Sequence, residues 1–196
     1  MSAGPAYFVL ERFGAKHPCR WIERWPFVRD ADFDLGTRIS VAVPNPLVFP
    51  LKALNPDAKD HGPEMPEIFD GSVPLFRSDL IAALATAGVD NVDYYPAEVR
   101  EPDGSRVYRD YQAANVVGLV QAADMAKSRA TVRTGGPIID VEFDELVLAP
   151  ERARGALIFR LAEATGSIFV HEKVRDQLLA SGFDKLEFLE PGDAFV

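Results

Sequence analysis

The chain has 196 residues, 47% of them hydrophobic and 26% charged, with a formal net charge of −9. That composition suits one large domain or two small ones with a self-sufficient core, and it excludes a disordered chain. The acidic balance argues against nucleic acid as the ligand, since phosphate binding needs a basic surface.

The single cysteine, Cys19, cannot close an internal disulfide, so an oxidising compartment has left no trace. No apolar run approaches the ~20 residues of a spanning helix. The N-terminal run ends at Glu11-Arg12 and has no basic leader, so neither a signal peptide nor a membrane anchor is expected. The expected location is the cytoplasm.

In chain order, Tyr7-Phe8-Val9-Leu10 predicts a strand, and Ile39 to Val43 predicts a second one ending at Pro44. Trp21, Trp25, Phe27 and Phe33 lie between them and are expected to form local core. Pro44, Pro46, Pro50, Pro56, Pro63, Pro66 and Pro74 then punctuate a stretch of loop with short extended pieces. A loop of that length in a compact domain is functional or mobile. The chain is thus expected to divide into a proline-rich region, 1–72, packed on a core of 73–196, or to form one domain over 1–196.

From Val73 onward the signals sharpen. Ser78 is the expected N-cap, with Asp79 in the first turn where the helix dipole favours a negative charge. Leu80, Ala83, Leu84 and Ala87 recur at helical spacing, and Gly88 suits the left-handed residue after the helix. Val89, Val92 and Tyr94 lead through a strand to Pro96.

The same arrangement recurs at an offset of 94 residues, Gly88 falling on Gly182. Leu84 then meets Leu178, Asp90 meets Asp184, Leu80 meets Val174, Val89 meets Phe183, Val92 meets Leu186 and Tyr94 meets Phe188. Upstream, Val73 to Phe76 falls on Ser167 to Val170. These are two copies of a short strand–helix–strand unit.

Between the copies the chain is β-rich. Tyr108 to Val120 is apolar with interruptions at Asn115 and Gly118. In Ile138 to Leu148, Ile139, Val141 and Phe143 face one way while Asp140, Glu142 and Asp144 face the other. A turn over Pro150–Gly155 leads into Ala156–Leu161, and Thr165-Gly166 turns into Ile168-Phe169-Val170. Strands in runs, with segregated helices, predict an α+β fold with a mixed, largely antiparallel sheet.

Candidate chemistry is sparse. Asp30, Asp32 and Asp34 begin like a calcium loop, but the required Gly and bidentate Glu are replaced by Leu35 and Val41. His171-Glu172 begins like a zinc-protease helix, but Arg175 stands where the second histidine belongs. His171 is therefore expected to cap the helix or meet a partner. His17 and Cys19 flank Pro18 without forming a nucleophilic pair on sequence grounds, and His61 lies in the proline-rich loop.

No nucleophile elbow, phosphate loop or dinucleotide fingerprint occurs. Thr134-Gly135-Gly136-Pro137 precedes a strand and is expected to turn. The row Asp140, Glu142 and Asp144 is either the solvated face of a half-buried strand or an acidic stripe facing a partner. Together with His171 it makes up the expected partner-binding residues. No catalytic residue, metal ligand or cofactor is expected.

Several stretches resemble a known family. Ala87 to Ala97, Leu157 to Leu161, Ile168 to Glu172, Asn115 to Gly118 and Gly182 to Phe188 look like the immunity-eleven family of bacterial polymorphic-toxin systems. The likeness covers roughly Val73 to Phe188. It implies a small cytoplasmic protein that binds and neutralises the toxin encoded beside it, and it carries over no catalytic residue. An acidic surface would speed encounter with a basic toxin such as a nuclease. Two other readings compete with it. One is an adaptor or regulator in a secretion or signalling assembly. The other is a metal-dependent enzyme using Asp140, Glu142 or Asp144 with His171.

Overall fold

Alternation of side chains along short strands organises the described part of the chain, residues 6–11, 17–133 and 140–194 of a computed structural model. The elements are β1 (Tyr7–Glu11), β2 (Leu47–Pro50), β3 (Ile68–Phe69), β4 (Leu75–Arg77), α1 (Ser78–Ala87), β5 (Val92–Arg100), β6 (Val107–Tyr108), β7 (Tyr111–Val116), β8 (Leu119–Val120), β9 (Arg129–Arg133), β10 (Asp140–Glu145), β11 (Ile158–Leu161), β12 (Ala164–His171), α2 (Glu172–Ala180) and β13 (Glu187–Leu189). One sheet runs β2-β5-β7-β4-β3 with β6 also on β5, a second runs β13-β1-β12-β11-β8, and β9–β10 is a separate hairpin. The β2–β5 and β8–β11 pairs are parallel and the remaining pairs antiparallel, so the fold is α+β as its strand runs predict.

The repeated unit is present, and its strand registers repeat with it. In the first unit Phe76 faces Ile68 and Leu75 faces Phe69; in the second Val170 faces Ile158 and Phe169 faces Phe159. On the other side Arg77, Phe76 and Leu75 face Tyr111, Gln112 and Ala113, as His171, Val170 and Phe169 face Tyr7, Phe8 and Val9. After the helices, Asp93, Tyr94 and Tyr95 pair with Asn115, Ala114 and Ala113, as Glu187, Phe188 and Leu189 pair with Glu11, Leu10 and Val9. Each unit is therefore four strands and a helix, with β7 central in the first and β1 central in the second. Gly88 and Gly182 end the copies alike, at φ +94° and +89°.

The two units share one core. Phe76, Leu80, Leu84 and Val116 from the first pack with Phe8, Val170, Val174 and Leu178 from the second, so both helices lie between the sheets. Because neighbouring strand residues point to opposite faces, Leu75, Ala113 and Tyr111 are left on the outer side of the first sheet. There they pack with Leu47 and Phe49 of β2 and with Val28 and Phe33 of the preceding segment. On the outer side of the second sheet, Tyr7, Val9, Phe159 and Phe169 are covered by Val141 and Phe143 of the hairpin.

Five local expectations need correction. Thr165-Gly166 is not a turn but lies within β12, the turn falling at Ala162-Glu163. Ile39 to Val43 forms no strand; the segment that joins the sheet beside β5 is β2, further on at Leu47–Pro50. Ser78 is the first helical residue and Arg77 the N-cap, because Arg77 is still extended at φ −72° and ψ 148°. The Ser78 hydroxyl donates instead to the Asp110 carbonyl at 2.8 Å. Phe33 is buried and Trp25 packs edge-on against Phe49, but Phe27 leaves the expected local core and is 89% exposed. The strand leading to Pro96 continues to Arg100, pairing with β7 up to the proline and with β2 and β6 after it.

Candidate functional site

The hairpin carries the acidic row. Val141 and Phe143 turn inward, while Glu142 and Asp144 are exposed on the opposite face of β10. A register shift between Phe143 and Glu145 leaves Asp144 and Glu145 both outward. Arg129 on β9 lies 3.6 Å from Asp144 and 3.9 Å from Glu145, which offsets part of their charge. Asp140 opens the strand opposite Arg133. Ile139 and the stretch 134–137 lie outside the described residues.

His171 is not on that face. It ends β12 and caps α2, its Nδ1 accepting from the Lys173 backbone N–H at 3.0 Å. Its ring meets Tyr7 edge-on, with centroids 5.2 Å apart. The position equivalent to His171 in the first unit is Arg77, whose guanidinium donates to Asp79 and so holds that carboxyl below the usual range. Both are N-cap positions, one capped by a ring nitrogen and the other without a side-chain cap. The structure thus puts Glu142 and Asp144 on a hairpin face and His171 at a helix cap. Among the described residues no group of three or more His, Cys, Asp or Glu is placed to hold a metal ion. The backbone of Cys19 bridges to His61, and Gly62 N–H donates to the Cys19 carbonyl at 3.0 Å.

A feature with no sequence signal of its own lies in the segment over 23–40. Arg160 is fully buried on β11, and its guanidinium reaches Asp34 of this segment at 3.1 Å. The same group donates to the carbonyls of Thr165 and Gly166 at 2.7 and 3.2 Å. Burial pushes the Asp34 carboxyl up to about 6; attraction from Arg160 opposes that rise without cancelling it. Burial likewise pulls the Arg160 guanidinium down. The segment is held at further points. Gly118 N–H donates to the Gly36 carbonyl at 2.8 Å, the Asn115 amide donates to the Thr37 carbonyl at 2.9 Å, and Arg38 pairs with Asp93 at 3.0 Å.

This pinned segment shapes an open concavity of about 510 Å³, lined by Phe27, Ala31, Leu35 and Ile39 with the charged Asp30, Asp32 and Arg38. Asp30 has a positive φ of 59°, a conformation Asp tolerates better than most residues. Neither Asp30 nor Asp32 has an ion-pair partner within 4 Å among the described residues.

Among the described residues no helix is long and apolar enough to cross a membrane. A search of curated proteins finds no match. Residues 80–193, more than half of the chain, match the immunity protein family Imm11.

Proposed function

Because the chain belongs to the Imm11 immunity protein family, we propose that it binds a cognate bacterial toxin in the cytoplasm and neutralises it by occlusion, without catalysis and without a cofactor. The observation that carries this reading is the extent of the family match. It runs from within α1 past β13, and so takes in most of α1, all of α2, the hairpin and the part of the shared core that follows β4. What surrounds that scaffold fits a binding role: an acidic chain of net charge −9 with exposed Glu142 and Asp144 on the hairpin.

Neutralisation of this kind takes an interface on the order of 1,600 Å², held by a few aromatic or arginine anchors. The hairpin carboxylates act at its rim or beyond it, raising the rate of encounter with a basic toxin more than the strength of the complex. His171 serves the helix, and α2 in turn serves the core.

Co-expression tests the reading. Cells making the product of the neighbouring gene should recover growth when this chain is made with it, and the two should co-purify. Absence of both effects would leave the toxin-binding reading without support, and an adaptor role would then take its place.

A further inference from the structure

A phenyl ring left in water on a segment that is otherwise fastened down needs an explanation. Phe27 is 89% exposed, against at most 50% for the other exposed large hydrophobic residues. It is flanked by Pro26 and the buried Val28, so the backbone on its C-terminal side is anchored in the outer core of the first sheet. The segment continues through the 3.3 Å turn from Ala31 N–H to the Val28 carbonyl, the buried Phe33 and the Asp34–Arg160 pair. The ring is thus presented by a rigid support. Ordering it in a complex would cost little more than fixing two side-chain torsions.

Beside the ring lies the 510 Å³ concavity with Asp30 and Asp32 at its wall. Arg38, which also lines the concavity, is committed to Asp93, and nearby Asp34 is committed to Arg160. Asp30 and the second carboxylate oxygen of Asp32, whose Oδ1 accepts from the Asp34 N–H at 2.8 Å, are left to face a partner. An aromatic knob next to an acidic recess is complementary to a basic surface with an apolar hollow. The segment also falls outside the matched span of 80–193, on the outer face of the first sheet rather than in the shared core.

Resting on the toxin-binding reading above, we infer that Phe27 anchors the toxin interface and that a lysine or arginine of the toxin enters the concavity to meet Asp30 and Asp32. The ring supplies buried area and the carboxylates supply register. The hairpin acids contribute only to the long-range field.

The test uses the full chain and the purified, inactivated product of the neighbouring gene, with binding followed kinetically. Phe27→Ala should weaken the complex at least about thirtyfold, mostly through faster dissociation. Its melting temperature should stay at the wild-type value, because the ring is outside every core cluster. Asp30→Asn with Asp32→Asn keeps the turn geometry, including the acceptor for the Asp34 N–H. That double variant should slow association several-fold at low salt and lose the difference at high salt. Val132→Ala, which trims a half-exposed residue of the hairpin, should bind like the wild type. Wild-type affinity in Phe27→Ala, or a loss confined to Val132→Ala, would overturn the anchor while leaving toxin binding intact. No complex with the wild-type chain would instead overturn the toxin reading, and the anchor with it.

Discussion

The two units of this protein share a backbone and differ in almost everything laid on it. β3-β4-α1-β5 with β7 and β11-β12-α2-β13 with β1 pair in the same registers. Both carry a left-handed glycine at the aligned position, Gly88 capping α1 and Gly182 following the Ser181 cap of α2. Yet α1 buries four residues and α2 two. One N-cap is Arg77 and the other His171. Just past β3 stands exposed Asp70 where β11 has fully buried Arg160. The central strand follows its helix in the first unit and reaches the second from the N-terminal side. The comparison teaches that the architecture needs few positions: a leucine or valine at two helical positions, one glycine, and alternation along the strands. The rest is free to diverge, and the outer covers of the two sheets have become different structures.

The sharpest way to break the comparison is at its most unequal pair. Arg160→Ala should cost ~3–5 kcal/mol, because it leaves the half-buried Asp34 without its counter-charge and empties a core position. Asp70→Asn, at the equivalent but exposed site, should stay within ~0.5 kcal/mol. Urea melts of the two variants decide it, and similar losses would mean that the burial difference has no energetic weight.

At their most equal pair the units should respond together. Leu84→Ala and Leu178→Ala remove matched, fully buried side chains from one cluster. Each should cost ~2–5 kcal/mol. Their double mutant should depart from additivity, since both lie in the same core. A smaller shared effect is expected at the helix ends. Alanine at Gly88 or Gly182 must adopt a left-handed conformation at a cost of ~1–2 kcal/mol. At Gly182 a Cβ would meet nothing within 4 Å, so the penalty there is conformational alone.

The smallest expected effect is in pH dependence. Asp34 holds its proton to about 6 in the folded chain and releases it near 3.8 in a model peptide. Between those values the folded state binds more protons than the unfolded one, so this group's contribution to stability falls as pH rises and levels off above 6. The surviving exposure of the carboxyl softens the slope. Comparing wild type with Asp34→Asn by thermal melts at pH 4 to 7 should show the variant with the flatter profile over that range.

Much of this architecture is legible in the sequence. Leu80, Leu84 and Gly88 announce a helix and its stop through local physics, and the same spacing at Val174, Leu178 and Gly182 announces the copy. The hairpin face follows from strict alternation at Val141, Glu142 and Phe143. What is not legible depends on distant partners. Nothing near Tyr7 says that β1 becomes the centre of the second sheet. Nothing near Ile39 says that Leu47–Pro50 is the segment that pairs with β5. The candidate surface was the least readable part: Phe27 resembles its aromatic neighbours Trp25 and Phe33 in composition, and only its 89% exposure sets it apart. Arg160 sits in an apolar strand where its charge looks like surface, because its partner Asp34 is far away in sequence.

The most direct measurement is a titration of the purified chain into the inactivated product of the neighbouring gene. A tight, saturable one-to-one complex, together with protection of cells that carry the active form, is the predicted result. Heat and growth data showing no interaction, or turnover of a small substrate by the chain alone that one polar substitution abolishes, would contradict it.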